Sequence, residues 1–242
     1  MKQLNSFSTI SLSEMDGVSL MNRLDTKYVI SVNDIDRILE NLTEHYDILS
    51  INDQIVFRYE NTYFDTISHK LYTQHHNGKL TRFKIRVRKY CQNGLKFFEL
   101  KLKNNKGKTE KKRIKVDTMA FNDSNLDFMN KYIDTKDKFK PSLNINFERF
   151  TLVNKSKTER ITFDNKLEYE FDNKSKEYTY FCIIEIKEDG RDNKSVLKNV
   201  LKEHRKSPSA MSKYCFGIAS LKNMSVKTNM MKSKKRNIKK YK

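Results

Sequence analysis

Apolar and polar residues exchange at nearly every position in seven stretches: Val56–Phe64, Leu80–Tyr90, Leu95–Lys103, Lys111–Val116, Leu143–Val153, Arg160–Phe163 and Tyr178–Lys187. A period of two sends successive side chains to opposite faces, so these stretches are expected to be strands with one apolar and one polar side. Helical spacing is rarer. Ser31-Val32-Asn33-Asp34 has the chemistry of an N-cap and precedes Ile35, Ile38, Leu39 and Leu42 on one stripe. A second run goes from Thr66 to His76 and stops at Asn77-Gly78, and a third lies within Asp117–Asp134. A fourth follows Asp192, with Val196, Leu197, Val200 and Leu201 as its apolar face. Many antiparallel strands and a few flanking helices predict an α+β fold built around a large sheet or an antiparallel β-barrel. No internal repeat and no linker rich in Pro, Gly or Ser divides the chain.

The polar faces of three neighbouring strands carry mostly one sign of charge. Arg82, Lys84, Arg86 and Arg88 oppose Phe83, Ile85 and Val87; Glu99, Lys101 and Lys103 oppose Phe98, Leu100 and Leu102; Lys111, Arg113 and Lys115 oppose Ile114 and Val116. Same-face neighbours sit roughly 7 Å apart, so each like-charged pair costs about 2 kcal/mol at an effective dielectric constant near 20. Salt could screen such a face if it were exposed, and a bound polyanion could hold it together if it were concave. A few carboxylates share this spacing: Asp25 between Arg23 and Lys27, then Glu99, Glu148, Asp164 and Glu185. Acids repel phosphate, so among cations they either pair with neighbouring Lys and Arg or hold a hard divalent cation that also binds phosphate oxygens.

Composition narrows the partner. The chain has 49 Lys and Arg against 30 Asp and Glu in 242 residues, a net charge of +19. Aromatic residues make up 11%, which excludes a disordered polycation, since such chains lack the apolar surface to offset ordering entropy. Nine basic residues and no acid lie between Lys222 and Lys242, so a terminal tail supplies about half of the excess; it reads as a solvated, mobile extension. A nucleic-acid binder needs aromatic rings among its basic residues for base stacking, whereas Phe83 and Phe98 alternate to the opposite side, which argues against a sequence-specific nucleic-acid partner. Cys91, Cys182 and Cys215 are odd in number and widely spaced, as reduced thiols of a cytosolic protein are. His75 and His76 point apart on a helix and make a poor metal pair. The first residues lack the apolar run of a signal peptide, and no stretch approaches a membrane-spanning length.

Asn22-Arg23-Leu24-Asp25-Thr26-Lys27-Tyr28 resembles the opening motif of the VTC domain, found in vacuolar transporter chaperone proteins and bacterial relatives. Tyr63-Phe64-Asp65-Thr66 with Leu71-Tyr72 and His75, then Lys84-Ile85-Arg86-Val87-Arg88-Lys89-Tyr90 and Phe98-Glu99-Leu100-Lys101, continue the likeness. Lys111-Lys112-Arg113, Phe147-Glu148-Arg149, Ile184-Glu185-Ile186-Lys187 and Ser212-Lys213-Tyr214 follow in the expected order, so the resemblance covers Asn22 to Ala219. It implies a lead-in at residues 1–20, a triphosphate tunnel domain at 21–221 and the basic tail at 222–242. The tunnel is an antiparallel barrel whose lumen is lined by Lys, Arg and a few acids.

The resemblance further implies a polyphosphate polymerase that transfers the γ-phosphate of ATP to a growing chain. Lys27, Arg86, Arg88, Lys101, Lys111, Arg149, Arg160, Lys187 and Lys213 would then line the phosphate path. Ser212 would add a hydroxyl, the guanidiniums of Arg86, Arg88, Arg149 and Arg160 would clamp the nucleotide phosphates, and Glu185, seconded by Glu99, would hold Mn²⁺ or Mg²⁺. One departure is Ala210, where some relatives carry a further lysine. Hydrolysis of triphosphate or a nucleoside triphosphate in the same tunnel, and non-catalytic polyphosphate binding, stay open. Relatives work beside membrane-embedded subunits, so a cytoplasmic location with peripheral membrane contact through such a partner is the matching expectation.

Overall fold

The alternating stretches form their strands, and these join into one sheet of eleven. The computed structural model describes residues 1–16, 23–189, 195–221 and 228–242. Asn22, Asp192, residues 222–227 and the side chain of Arg23 lie outside the described residues. The first half runs β1 (Thr9–Ile10), α1 (Leu12–Asp16), β2 (Arg23–Ser31), α2 (Ile35–Glu40), β3 (Tyr46–Leu49), β4 (Phe57–Asp65), α3 (Lys70–His76), β5 (Arg82–Tyr90), β6 (Lys96–Lys103) and β7 (Thr109–Val116). It continues α4 (Asp123–Asn130), β8 (Lys140–Asn154), β9 (Glu159–Phe171), β10 (Lys174–Tyr178), β11 (Phe181–Asp189), α5 (Val196–Glu203), α6 (Lys213–Leu221) and α7 (Asn229–Lys239). The strand path is β2-β11-β9-β8-β4-β5-β6-β7, antiparallel throughout, with β10 extending β9 and β3 joining β8; only β1 pairs in parallel, on β3.

The sheet curls. Lys101 on β6 feels the charges of Glu185 on β11 and of Lys27 and Asp25 on β2, which lie at the other end of the strand path. The charged faces therefore look into a common lumen, while the apolar faces look outward under helices. Ile161, Phe163, Ile184 and Ile186 pack beneath α2 and α5, and Ile85, Val87, Phe98 and Leu100 pack beneath α4. No ladder joins β2 to β7 among the described residues, so the wall is open along that seam.

One end of the lumen is filled by α6. Every residue from Tyr214 to Leu221 is buried, the mark of a helix packed within a core rather than on a surface. Its neighbours are inward-facing residues of the sheet, Leu143, Ile145, Tyr169 and Ile183. Gly217 is required by proximity: a Cβ there would overlap the Tyr169 ring and lie 2.6 Å from Leu143 Cδ2. Asp65, fully buried at the end of β4, anchors this end of the barrel. Its carboxylate accepts the backbone N–H groups of Thr66, Leu71 and Tyr72 at 2.8–2.9 Å and the Tyr214 hydroxyl at 2.6 Å, tying α3 to α6.

Both termini pack against the body of the protein. In the lead-in, Leu4 and Phe7 join the core under α2. The tail, expected to be mobile, carries α7, whose Met231 and Ile238 are buried in the α6 cluster. These two residues are seven apart and share one helix face, a stripe too sparse among lysines to register as an apolar period. Asn229 Oδ1 meets His76 Nε2 at 2.7 Å, and the Tyr241 hydroxyl donates to the Val29 carbonyl at 3.1 Å, so both ends of α7 are fastened.

If α6 is held this tightly, Gly217→Ala should cost about 2 kcal/mol of stability in a urea titration. An unchanged midpoint would mean that α6 does not pack against Tyr169 as described.

Candidate functional site

Alternation delivers the cations to the lumen, and each of three buried or nearly buried carboxylates bridges two of them. Glu99 on β6 takes Arg86 Nε and Nη2 of β5 on Oε2, at 2.7 and 2.5 Å, and Lys111 of β7 on Oε1. Asp164 on β9 receives Arg149 of β8 in a two-pronged contact, at 2.6 and 2.9 Å, and also Lys213 at the start of α6. Glu185 on β11 takes Lys27 of β2 at 3.0 Å and Lys187 of its own strand at 3.3 Å. The fork geometry of the guanidinium suits the first two contacts, and the ammoniums act as point charges.

Three further cations have no carboxylate at ion-pair distance among the described residues. Arg88 donates from Nε to Asn61 Oδ1 at 2.8 Å, and its guanidinium carbon lies 5.1 Å from the centre of the Tyr59 ring. Lys84 donates to Ser212 Oγ at 3.2 Å. Lys101 is exposed and feels the charges of Glu185, Lys27 and Arg86. Arg149 shares the Tyr59 and Phe147 rings with Arg88, at 5.2 and 5.3 Å, so aromatic faces offset part of the repulsion between the two guanidiniums. Arg160 stands opposite Lys187 in the β9–β11 register, and Asp25 stands opposite Lys187 from β2.

Proton affinities follow this crowding. Burial opposes ionisation of Glu99, Asp164 and Glu185, yet the surrounding cations overcome it and hold all three carboxyls well below their ordinary range. Burial, reinforced by neighbouring cations and only partly offset by acids, pulls the ammoniums of Lys84, Lys111 and Lys187 down to about 8. Lys111 and Lys101 are solvent-exposed and still depressed, as expected for groups in a wet lumen walled by protein rather than in a dry core.

Most of the residues named from sequence are thus brought together. Glu148 is not: it follows the alternation away from its neighbour Arg149 and pairs on the other side with exposed Lys166, at 3.0 Å. Sequence reasoning undervalued Lys84, whose place on the basic face of β5 was visible, and Tyr63, whose hydroxyl accepts from Arg86 Nη1 at 2.8 Å. Ser212 does double service, since its Oγ also accepts the Cys215 N–H in the first turn of α6, at 3.4 Å. Ala210 brings no cation of its own, but its carbonyl accepts from Lys234 of α7 at 2.6 Å. Among the described residues no cluster of three or more His, Cys, Asp or Glu could cage a metal, and no helix is long and apolar enough to cross a membrane.

Lysines with a pKa of about 8 bind an anion best while protonated, and anion binding raises that pKa further, so affinity is full below pH 8 and is lost above it. Calorimetric titration with tripolyphosphate should show affinity falling roughly tenfold between pH 7 and pH 9 for each such lysine that contacts the ligand. An affinity that held steady or rose over this span would remove these lysines from the site.

The chain is similar to several solved structures, one of which shares its fold at a TM-score above 0.5. A putative adenylyl cyclase from Hippeastrum, HpAC1, described as having a dominant triphosphatase activity, superposes with a TM-score of 0.54 at 16% identity, over 84% of this chain and 98% of that one. A putative adenylate cyclase from Vibrio parahaemolyticus gives 0.46 at 12% identity, over 80% and 96%. The PH1819 protein of Pyrococcus horikoshii OT3 gives 0.46 at 15%, over 81% and 98%. No curated protein matches the chain. The fold is the antiparallel triphosphate tunnel with flanking helices. The family model for the VTC domain matches residues 22–222, from the Arg23-Leu24-Asp25 strand through the whole of α6, and the chain belongs to the VTC domain family.

Proposed function

We infer that this chain is a polyphosphate polymerase, transferring the γ-phosphate of ATP to the end of an inorganic polyphosphate chain inside the lumen. The observation that carries the reading is the contrast between clamped and unclamped cations. Arg86 and Arg149 are fixed by Glu99 and Asp164, while Lys84, Arg88 and Lys101 have no carboxylate of their own at ion-pair distance among the described residues. Such a series suits a polyanion, whose phosphates can exchange among donors that are not already neutralised.

Phosphoryl transfer is driven by positioning and by neutralising charge on the phosphate oxygens. A terminal oxygen of the acceptor chain attacks the γ-phosphorus, the bond from γ-phosphorus to the bridging oxygen breaks, and ADP departs with the electron pair. Arg86, Arg88, Arg149 and Arg160 would hold the nucleotide phosphates, with Lys27, Lys101, Lys111, Lys187, Lys213 and the Ser212 hydroxyl along the path.

The three bridging carboxyls of the lumen are poorly suited to activating water. Activating water calls for a base with a pKa near the working pH. Glu99, Asp164 and Glu185 are held well below that range, burial notwithstanding, by their cationic neighbours. A terminal phosphate needs no such help, being anionic already at neutral pH. Glu185 is the residue fitted to hold a divalent cation. Its ammonium partners are displaceable, and the Thr162 hydroxyl, opposite it in register, is buried without a hydrogen-bond partner among the described residues. One or two carboxylates completed by substrate phosphates is the usual setting for Mg²⁺, which would add charge neutralisation on the β- and γ-oxygens when bound. Glu99 serves differently, as the counter-ion that orients Arg86 and Lys111.

With ATP and Mn²⁺, the purified protein should produce a polymer that stains as polyphosphate on a gel, with ADP accumulating alongside. Free phosphate without polymer would replace transfer by hydrolysis, in line with the triphosphatase activity described for the Hippeastrum protein. Glu185→Gln should lower turnover by about 100-fold while metal-free tripolyphosphate binding is kept or tightened. Unchanged turnover would take the metal role away from Glu185.

A further inference from the structure

Helix α7 lies beyond the residues that the VTC family model matches, yet it is fastened over the closed end of the lumen. From it Lys234, half-buried, donates to the carbonyl of Ala210 at 2.6 Å, two residues before Ser212, the hydroxyl that accepts from Lys84. Lys234, Lys84 and Arg82 all act on the Cys215 thiol in the first turn of α6. Lys234, Lys84, Arg82 and Lys103 all act on His75, whose pKa burial and these charges push down to about 2. The ring of His75 accepts from Arg82 Nε at 3.0 Å, and Arg82 stands opposite Lys103 in the β5–β6 register. A second group of cations therefore continues the lumen series from Lys101 and Lys84 toward the tail.

The lining around α6 divides by chemistry among the described residues. On the β8, β9 and β11 side the inner wall against α6 is apolar, formed by Leu143, Ile145, Tyr169 and Ile183. On the β5–β6 side it is cationic. A chain longer than the lumen cannot run straight through α6, and an anionic chain would follow the lysines.

We propose that Lys234 of the tail helix, with Arg82, Lys84 and Lys103, forms a subsite for the distal phosphates of a long inorganic polyphosphate, where the chain leaves the lumen beside α6. The subsite deepens the polyphosphate reading and rests on it for the ligand. It makes the basic tail a part of the binding path: Lys234 discriminates by chain length, because only a ligand longer than a few phosphates reaches it.

The test compares tripolyphosphate with polyphosphate several tens of phosphates long, by competition binding without nucleotide or turnover. Lys234→Ala should weaken long-chain binding roughly tenfold, the worth of one charge-assisted contact, and leave tripolyphosphate binding unchanged. Lys234→Arg should restore the length dependence, and Lys232→Ala, an exposed lysine of the same helix, should have no effect. Equal losses for both lengths, or no loss for either, would overturn the subsite. Failure to synthesise polymer from ATP would remove the transfer reaction and leave this length dependence intact, so the two failures are distinguishable.

Discussion

Repulsion among like charges is the constraint on which this molecule turns. Lysines and arginines from seven strands, and one more from the start of α6, point into a single lumen and must coexist before any ligand arrives. The arrangement is tolerable because each acid bridges cations rather than neutralising a single partner. Glu99 links β5 to β7, Asp164 links β8 to α6, and Glu185 links β2 to β11. Removing one of them would leave two cations uncompensated in a confined space, a larger loss than that of a surface pair. The positive excess that remains after this pairing is the ground on which we propose a polyanion site in the lumen.

Closure of one end depends on different physics. Helix α6 is apolar on all sides, packs inside the barrel and has no room for a methyl group at Gly217. Its first turn presents Ser212 and Lys213 to the charged zone, so a single short helix both stops the lumen and furnishes two of its polar groups. Asp65 fixes its rotation through Tyr214 and fixes α3 through three backbone N–H groups. A carboxylate remote from the lumen cations thereby holds the helix that carries Lys213 in place. Helix α7 then covers the assembly and brings Lys234 to it.

The strands were legible because a sheet with one apolar face writes its period directly into the sequence, and the basic face of β5 to β7 was legible for the same reason. β9 was read only to Phe163, whereas it runs to Phe171. Lys166 has a positive φ of 46°, and β9 takes three steps from Asn165 to Glu168 against two on β8 from Glu148 to Asn146, so the alternation of β9 slips there by one position. Glu148 is a separate case: β8 keeps its alternation against β4 through that position, so with Arg149 turned into the lumen its neighbour must face out. α6 escaped because a helix buried all round has no amphipathic stripe, and α7 because its two buried apolar residues among many lysines leave almost none. No local pattern carries the curl that brings β6 to face β2 and β11; it arises from the whole sheet, and only the resemblance to the VTC domain, which implies a barrel, made it legible.

A crystal structure with tripolyphosphate bound reads the central claim most directly, since the lumen is held to be cationic because a phosphate chain belongs in it. The phosphates should lie among Arg86, Arg88, Lys101 and Arg149, with the ammonium of Lys84 in contact and Asp164 still paired to Arg149. Tripolyphosphate found only on the outer surface or on the tail, with every lumen cation left as it is in the free protein, would contradict that claim.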